Sequence, residues 1–155
     1  MQGPVRTMSI DELKTYTGKE IGVSEWFLLD QEKINKFADI TEDHMFLHVN
    51  PDAAQATPFG GTIAHGLFTL SMVPVMAYQA MPGVAGTKMG VNYGYNKVRF
   101  MAPVKSGKRI RGHFVVKGIE PQDGGRLQII QDVTVEIEGE SKPALAAEWV
   151  TMVWM

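Results

Sequence analysis

Apolar and polar residues follow a helical rhythm in the first half of the chain. After Asp30, a residue type that suits a helix N-cap, apolar side chains recur at three- and four-residue spacing as far as about Thr41. These positions are Ile34, Phe37, Ala38 and Ile40. The pattern predicts an amphipathic helix over residues 31–41. Ser9 and the Asn50–Pro51 pair suit the starts of two shorter helices.

The longest apolar run extends from Gly66 to Met81. Pro74 and several polar residues interrupt this run, and it is shorter than a membrane span requires. We therefore interpret it as a buried helix from about Ala64 to Ala80, which Pro74 kinks and the Pro82–Gly83 pair ends.

From Gly86 onward the pattern changes to the two-residue alternation of strands. In the segment 126–138, for example, apolar residues alternate with polar ones. Further strands are predicted over about 20–29, 88–101, 110–119 and 144–154. Helices followed by long strands predict an α+β fold in which an antiparallel sheet wraps the apolar helix.

The length and composition limit what the chain can be. With 155 residues it is too short to argue for two domains, so we expect a single domain over residues 8–155 and a flexible leader over residues 1–7. Fifteen basic and 17 acidic residues give a net charge of −2, which favours neither nucleic acid nor a membrane surface as partner. The chain has no cysteine and no signal peptide, which predicts a cytoplasmic protein.

The residues best suited to chemistry are concentrated between Phe37 and Leu70. Asp43 precedes His48 by five positions, the Asn50–Pro51 helix start follows, and the His65–Gly66 pair stands where the apolar helix begins. These residue types and spacings resemble the hydratase motif of the MaoC-like dehydratases, also called (R)-specific enoyl-CoA hydratases. The motif is most similar to the NodN-like branch, which the segment 92–112 also resembles.

This resemblance implies a hot-dog fold, an antiparallel sheet wrapped around a long central helix. It implies a hydro-lyase that adds water reversibly to trans-2-enoyl-CoA, or to the same acyl group on a carrier, giving the (R)-3-hydroxyacyl thioester. Coenzyme A thioester is then the substrate, and no redox or metal cofactor is implied. The resemblance also implies a homodimer with its long helices back to back.

The resemblance also implies a role for each motif residue. Asp43 would be the principal base and acid, and His48 would orient the water and share its proton. The backbone N–H of Gly66 would polarise the thioester carbonyl. Such a reaction needs these groups, because water must be activated, the α-carbon protonated and the enolate charge stabilised.

Three further residues are predicted to bind substrate or to support the site. They are His65, Asn50 and Asn96. For His65 the alternative is a histidine at the helix start that backbone groups satisfy. Asn96 is expected to be a buried polar group, with a purely structural role as the alternative. His44 is expected to face solvent.

Some positions depart from the wider family. Met45 and Phe46 replace its common Asn-Pro pair, Glu42 replaces a common glycine, and Pro74 stands where many members carry a serine near the bound water. These departures keep a non-catalytic acyl-thioester binder open as an alternative. A hot-dog acyl-CoA thioesterase is a second alternative, because it would share the fold. An acidic residue in the central helix would favour it, and residues 64–81 contain none. No two histidines stand at positions i and i+4 of one helix, so no metal site is expected.

Overall fold

The computed structural model describes Pro4 and residues 6–155. The rest of the predicted leader, residues 1–3 and 5, lies outside the described residues. Within the leader, Arg6 donates from Nη2 to the carbonyl oxygen of Ile21 over 2.7 Å. Thr7 belongs to a short strand.

The described chain contains six helices and eight strands. The helices are α1 (Ile10–Lys14), α2 (Gln31–Thr41), α3 (Phe46–Val49), α4 (Pro51–Gln55), α5 (Gly66–Ser71) and α6 (Val73–Ala80). The strands are β1 (Thr7–Met8), β2 (Glu20–Val23), β3 (Phe27–Leu29), β4 (Gly83–Val84), β5 (Met89–Phe100), β6 (Lys108–Gln122), β7 (Arg126–Ile137) and β8 (Leu145–Trp154).

The large sheet has six antiparallel strands in the order β2-β6-β7-β8-β5, and β3 also pairs with β6. The β6–β7 hairpin sets the register, from Ile110 opposite Ile137 to Gln122 opposite Arg126. A separate parallel pair joins β1 to β4. The predicted strand over 20–29 is thus two strands, β2 and β3, and the β1–β4 pair was not predicted.

The helix starts predicted from capping residues are confirmed. Asp30 accepts a hydrogen bond from the backbone N–H of Lys33 over 2.9 Å at the start of α2. Ser9 and Asn50 cap α1 and α4 in the same way. The apolar face of α2 is narrower than predicted, because Ile34 is buried while Ile40 is 83% exposed.

The predicted central helix consists of two segments, α5 and α6, which meet at Met72. Pro74 lies in the first turn of α6, where a missing N–H removes no helical hydrogen bond. It therefore helps to begin a new helix rather than kinking a continuous one. No helix of the described chain combines the length and apolar character needed to cross a bilayer.

The core lies between α6 and the inner face of the sheet. Fully buried side chains from both layers meet there: Val73, Met76, Ile110, Phe114, Val133, Val135 and Leu145. Ile34 of α2 joins them. Helix α6 approaches β2 so closely that a Cβ atom on Gly22 would lie 2.1 Å from the carbonyl oxygen of Ala80. The sheet thus packs directly against the helix.

Candidate active site

The segment that contains Asp43 and His48 is held against the segment that leads into α5. The backbone N–H of Ile63 donates to the carbonyl oxygen of Leu47 over 3.0 Å. Nδ1 of His48 lies 2.8 Å from the carbonyl oxygen of Ile63. Nε2 of His65 lies 3.0 Å from the carbonyl oxygen of Asp43, a residue 22 positions earlier. Three hydrogen bonds therefore bring the predicted acid together with both motif histidines.

The three side chains form a compact cluster. One carboxylate oxygen of Asp43 and one ring nitrogen each of His48 and His65 all lie within 4.8 Å of one another. The imidazole rings are stacked, with centroids 3.8 Å apart and planes inclined by 25°. Asp43 is exposed, His48 is half-buried and His65 is buried. The cluster is thus open to solvent on its acidic side.

The hydrogen bond of His48 determines which of its nitrogens is free. A backbone carbonyl can only accept, so Nδ1 carries the hydrogen and Nε2 keeps a lone pair in the neutral ring. The Asp43 carboxylate makes one long contact, in which the N–H of Met45 donates to Oδ1 over 3.4 Å. One ring nitrogen and one carboxylate are therefore available to a single water molecule.

A left-handed turn directs Asp43 out of helix α2. Glu42 follows the last residue of that helix with φ 62° and ψ 14°, and it is the one described non-glycine residue with a positive φ. The replacement of a common glycine noted in the sequence thus coincides with backbone that favours glycine. Helix α3 follows at once and carries His48.

Gln31 supports the site and was missed by the sequence analysis. Its Nε2 donates to the carbonyl oxygen of His48 over 2.7 Å, and its Oε1 accepts from the hydroxyl of Thr62. It therefore links α2 to both site segments. Its position just after the helix cap is an ordinary place for glutamine, so the sequence offers no signal for this role.

Gly66 is the first residue of α5 and lines a cavity of about 280 Å³ beside His48, which we call the site cavity. Thr69 and Phe100 line it as well. The first N–H groups of a helix have no acceptor within the helix, so the Gly66 amide is free to bind a ligand. A Cβ atom at Gly66 would lie 3.0 Å from the Phe100 ring.

The two predicted asparagines lie outside this cluster. Asn50 is exposed and its Oδ1 accepts from the N–H of Ala53 over 3.1 Å, which caps α4. The expected burial of Asn96 is wrong, because its exposed side chain donates to Glu148 over 2.7 Å. Strand β5, which carries Asn96, lies at the edge of the sheet, so alternation along the strand does not guarantee burial.

The position that carries a serine in many family members belongs to another cavity. Pro74 lines a cavity of about 460 Å³ along α6, together with Ala77 and Met81. The hydroxyl of Ser71 donates to the carbonyl oxygen of Leu67 over 2.7 Å, so it is committed to the helix. In the site cavity the hydroxyl-bearing residue of the central helix is Thr69, which the sequence analysis did not single out.

His44 pairs outside the cluster. Its Nε2 lies 2.8 Å from Oδ1 of Asp39, and its side chain is 52% exposed. The hydrogen bond to Asp39 raises the pKa of His44 above its ordinary value. This pairing distinguishes His44 from the two stacked histidines.

The composition of the cluster could suit a metal ion, which the sequence search for ligands on one helix overlooked. Two nitrogens are already bonded to backbone carbonyls, one each in His48 and His65. The remaining nitrogens, Nε2 of His48 and Nδ1 of His65, keep their lone pairs in the neutral rings, and Nδ1 of His65 is buried. The absence of a metal cofactor stays a prediction.

Comparison with known proteins identifies the family of the chain. Residues 12–139 match the family described as MaoC like domain. The chain belongs to the MaoC-like family. The MaoC-like chain is 47% identical to nodulation protein N of Rhizobium leguminosarum bv. viciae, over 94% of this chain and 91% of that protein. It is 46% identical to 3-hydroxyacyl-thioester dehydratase Z of Mycobacterium tuberculosis, over 90% of this chain and 92% of that protein.

The fold agrees as well. The MaoC-like chain superposes on a MaoC-like dehydratase from Rhodospirillum rubrum with a TM-score of 0.76 and 18% identity, covering 95% of this chain and 97% of that one. The resemblance seen in the sequence, including its NodN-like branch, is confirmed, and so is the hot-dog fold.

Proposed function

We propose that this MaoC-like protein is a hydro-lyase that adds water reversibly to trans-2-enoyl-CoA, giving (R)-3-hydroxyacyl-CoA. The observation that carries the proposal is the placement of the Asp43 carboxylate within 4.8 Å of the two motif histidines. His48 and Gly66 line one cavity. The dehydratase relative that spans nearly the whole chain supports the same reaction class.

In the proposed mechanism Asp43 and Nε2 of His48 hold one water molecule. Its oxygen attacks C3 of the enoyl thioester while one of its protons passes to Asp43. The electron pair of the double bond moves toward the thioester oxygen, which accepts a hydrogen bond from the Gly66 amide. Asp43 then returns a proton to C2. A donor of this kind is typically worth about 3 kcal/mol of transition-state stabilisation.

We propose that no redox or metal cofactor takes part. Proton transfer and addition to a double bond change no net oxidation state, so the residues above suffice for the chemistry. The coenzyme A thioester enters as substrate. We expect chelation with EDTA to leave the rate unchanged. The cytoplasm remains the proposed location, on the basis of the cysteine-free sequence.

We also propose that the protein is a homodimer that joins two copies along β5. In the described chain this 12-residue strand pairs with β8 on one side only. Large apolar side chains at Met89, Val91 and Tyr93 are 51%, 41% and 66% exposed. A long apolar edge strand favours pairing with another strand. A second copy would supply that strand and cover these side chains.

The proposed reaction is tested by three measurements on the same mixture of protein and trans-2-enoyl-CoA of several chain lengths. Loss of the ultraviolet absorbance of the conjugated thioester reports hydration. A thiol reagent reports release of free coenzyme A, without background from the cysteine-free protein. Chiral analysis of the product gives its configuration.

We expect loss of absorbance, no thiol release and the (R) product. Thiol release in step with loss of substrate would indicate a thioesterase. Binding without either reaction would indicate an acyl-thioester binder. Either result would contradict the proposal.

A further inference from the structure

His65 contacts the two groups that the mechanism uses without lining the site cavity. It is 3% exposed, and it is the N-cap residue of α5, although its side chain makes no capping hydrogen bond. Its Nε2 lies 3.0 Å from the carbonyl oxygen of Asp43. Its ring stacks on His48 with centroids 3.8 Å apart. One side chain therefore touches the main chain of the proposed base and the ring that orients the water.

We propose that His65 is a positioning residue that fixes Asp43 and His48 relative to each other. Its own ring holds one defined tautomer. The proposal rests on the proposed function, because it assigns His65 its role in that reaction. The carbonyl of Asp43 can only accept, so Nε2 of His65 carries the hydrogen. In the neutral ring Nδ1 then keeps the lone pair.

The surroundings of Nδ1 do not favour a histidine over an apolar ring. Within the described residues Nδ1 of His65 is buried and has no hydrogen-bond partner. A buried polar atom without a partner is destabilising, so an apolar ring would suit the packing better. Phe37 packs against the same ring with centroids 4.9 Å apart, which shows that the surroundings are aromatic. The benefit of histidine is therefore the Nε2 hydrogen bond to Asp43.

The main chain around Asp43 needs this support. Glu42 holds a left-handed conformation that non-glycine residues rarely adopt, and the side chain of Asp43 makes one long contact of 3.4 Å. The other two hydrogen bonds between the site segments involve Leu47, His48 and Ile63. Of these three links, the one from His65 holds Asp43 itself.

Two substitutions separate the contributions of His65. In His65→Gln the side-chain amide can still donate to Asp43, while the stacking ring is lost. In His65→Phe the ring remains and the donor is lost. The matched control is His44→Phe, which changes a histidine beside Asp43 outside the cluster. Urea unfolding of each variant separates loss of positioning from loss of folding.

Imidazole nitrogen NMR tests the tautomers independently of activity. The protein has four histidines, so single substitutions assign each ring. At about pH 8, where neutral imidazole predominates, we expect the Nε2–H tautomer for His65 and the Nδ1–H tautomer for His48. We expect His65→Phe and His65→Gln to shift the His48 signals, and His44→Phe to leave them in place. A His65 in the Nδ1–H tautomer, or unchanged His48 signals in both variants, would overturn the proposal even if the protein proves to be a hydratase.

Kinetics supply the second readout. We expect His65→Phe, which loses the donor to Asp43, to lower kcat by about 10-fold or more with KM nearly unchanged, because positioning acts on the transition state. His65→Gln keeps that donor and should lose less. In an Asp43→Asn background His65→Phe should lower the residual rate by a smaller factor than in the unmodified protein, since its hydrogen bond positions Asp43. Folded variants with full kcat, or a full additional loss in that background, would contradict the role. Absence of hydratase activity in the unmodified protein would instead count against the proposed function, while the NMR test would still apply.

Discussion

At Gly66 the lack of a side chain keeps the site cavity open. A Cβ atom there would lie 3.0 Å from two ring carbons of Phe100, a contact tighter than real structures normally show. Phe100 is 53% exposed, so its ring can turn aside at little cost in stability. The turned ring would then change the cavity where the proposed thioester oxygen meets the helix amide.

Gly66→Ala is therefore predicted to lower kcat/KM on the order of 10²-fold, comparable to loss of an oxyanion donor. The free energy of unfolding should fall by less than about 1 kcal/mol, because the contacted ring is exposed at the surface. Steady-state rates and urea unfolding measure the two effects. Adding Phe100→Ala should restore part of the activity. An alanine variant as active as the unmodified protein would show that this contact does not shape the site.

At this scale the sequence predicted the residues that belong to one motif. Asp43, His48 and Gly66 were recognised from type and spacing. The structure places Asp43 beside His48, and His48 and Gly66 line one cavity. Gln31 and Thr69 were missed because their roles arise from tertiary packing, and neither residue type is unusual where it stands. Asn96 was expected to be buried because alternation along a strand identifies faces, but it does not say whether the strand lies at an edge.

The turn between α2 and α3 positions Asp43, and its backbone is strained at Glu42. Glu42 adopts φ 62°, a region that is unfavourable for residues with a Cβ atom. Glu42→Gly should raise the free energy of unfolding by up to about 1 kcal/mol, since glycine adopts this conformation without strain. Glu42→Ala is the matched control and should give no such gain, because it removes the carboxylate and keeps the Cβ atom. Equal stability of both variants in urea would rule out strain at this turn.

A second element-scale feature is the charged cluster on the outer face of the sheet. His113 lies 2.9 Å from Glu20 and 2.7 Å from Glu136, and Arg111 also binds Glu136 over 2.6 Å. Partial burial opposes protonation of His113, but the hydrogen bonds to Glu136 and Glu20 outweigh it and raise its pKa above 6.5. Hydrogen bonds from Arg111 and His113 lower the pKa of Glu136 below 4.5.

These shifts predict a pH window for the stabilisation. The raised pKa of His113 stabilises the fold below about pH 6.5, and this contribution disappears as the pH rises through the raised pKa. The lowered pKa of Glu136 stabilises the fold at pH values above the ordinary pKa of glutamate. This contribution is lost as the pH falls through the lowered pKa. The free energy of unfolding of the unmodified protein should exceed that of His113→Gln by about 0.5 kcal/mol at pH 6, because solvent screens the charges. The difference should be smaller at pH 8.5. A pH-independent difference in urea unfolding would contradict this assignment.

The elements themselves were predictable where a local rule determines them. Capping residues located the starts of α1, α2 and α4, and alternation located β7 almost to the residue. The two-residue strands β1 and β4 were not predictable, because so short a pairing has no periodic pattern. The break at Met72 was also missed. Proline was expected to kink the helix, whereas the first turn of a helix accepts it.

At the scale of the whole molecule, the exposed apolar edge of β5 distinguishes a monomer from the proposed dimer. Tyr93 is 66% exposed in one copy, so Tyr93→Lys should not disturb an isolated chain. In a dimer it would bury a charge at the junction and favour dissociation. Light scattering should give twice the 17.1 kDa chain mass for the unmodified protein and a lower mass for the variant. Thr134→Lys, on an exposed position of β7, is the control and should stay dimeric. A mass of 17.1 kDa for the unmodified protein would refute the dimer.

The proposed hydration depends most on Asp43 and His48, which act on one water molecule. Two substitutions remove the acting atoms and preserve their surroundings. Asp43→Asn keeps the shape of the carboxylate. In His48→Asn the side-chain amide can still donate to the carbonyl of Ile63, as Nδ1 does now, while Nε2 is lost. His44→Asn is the matched control beside the cluster.

The decisive measurement is kcat for hydration of crotonyl-CoA, followed by loss of ultraviolet absorbance, with folding checked by circular dichroism. We expect each of the two site variants to lose about 10²- to 10⁴-fold in kcat, the range typical of general acid–base catalysis, and His44→Asn to retain its rate. Turnover that is unaffected by both site substitutions in folded protein would contradict the account.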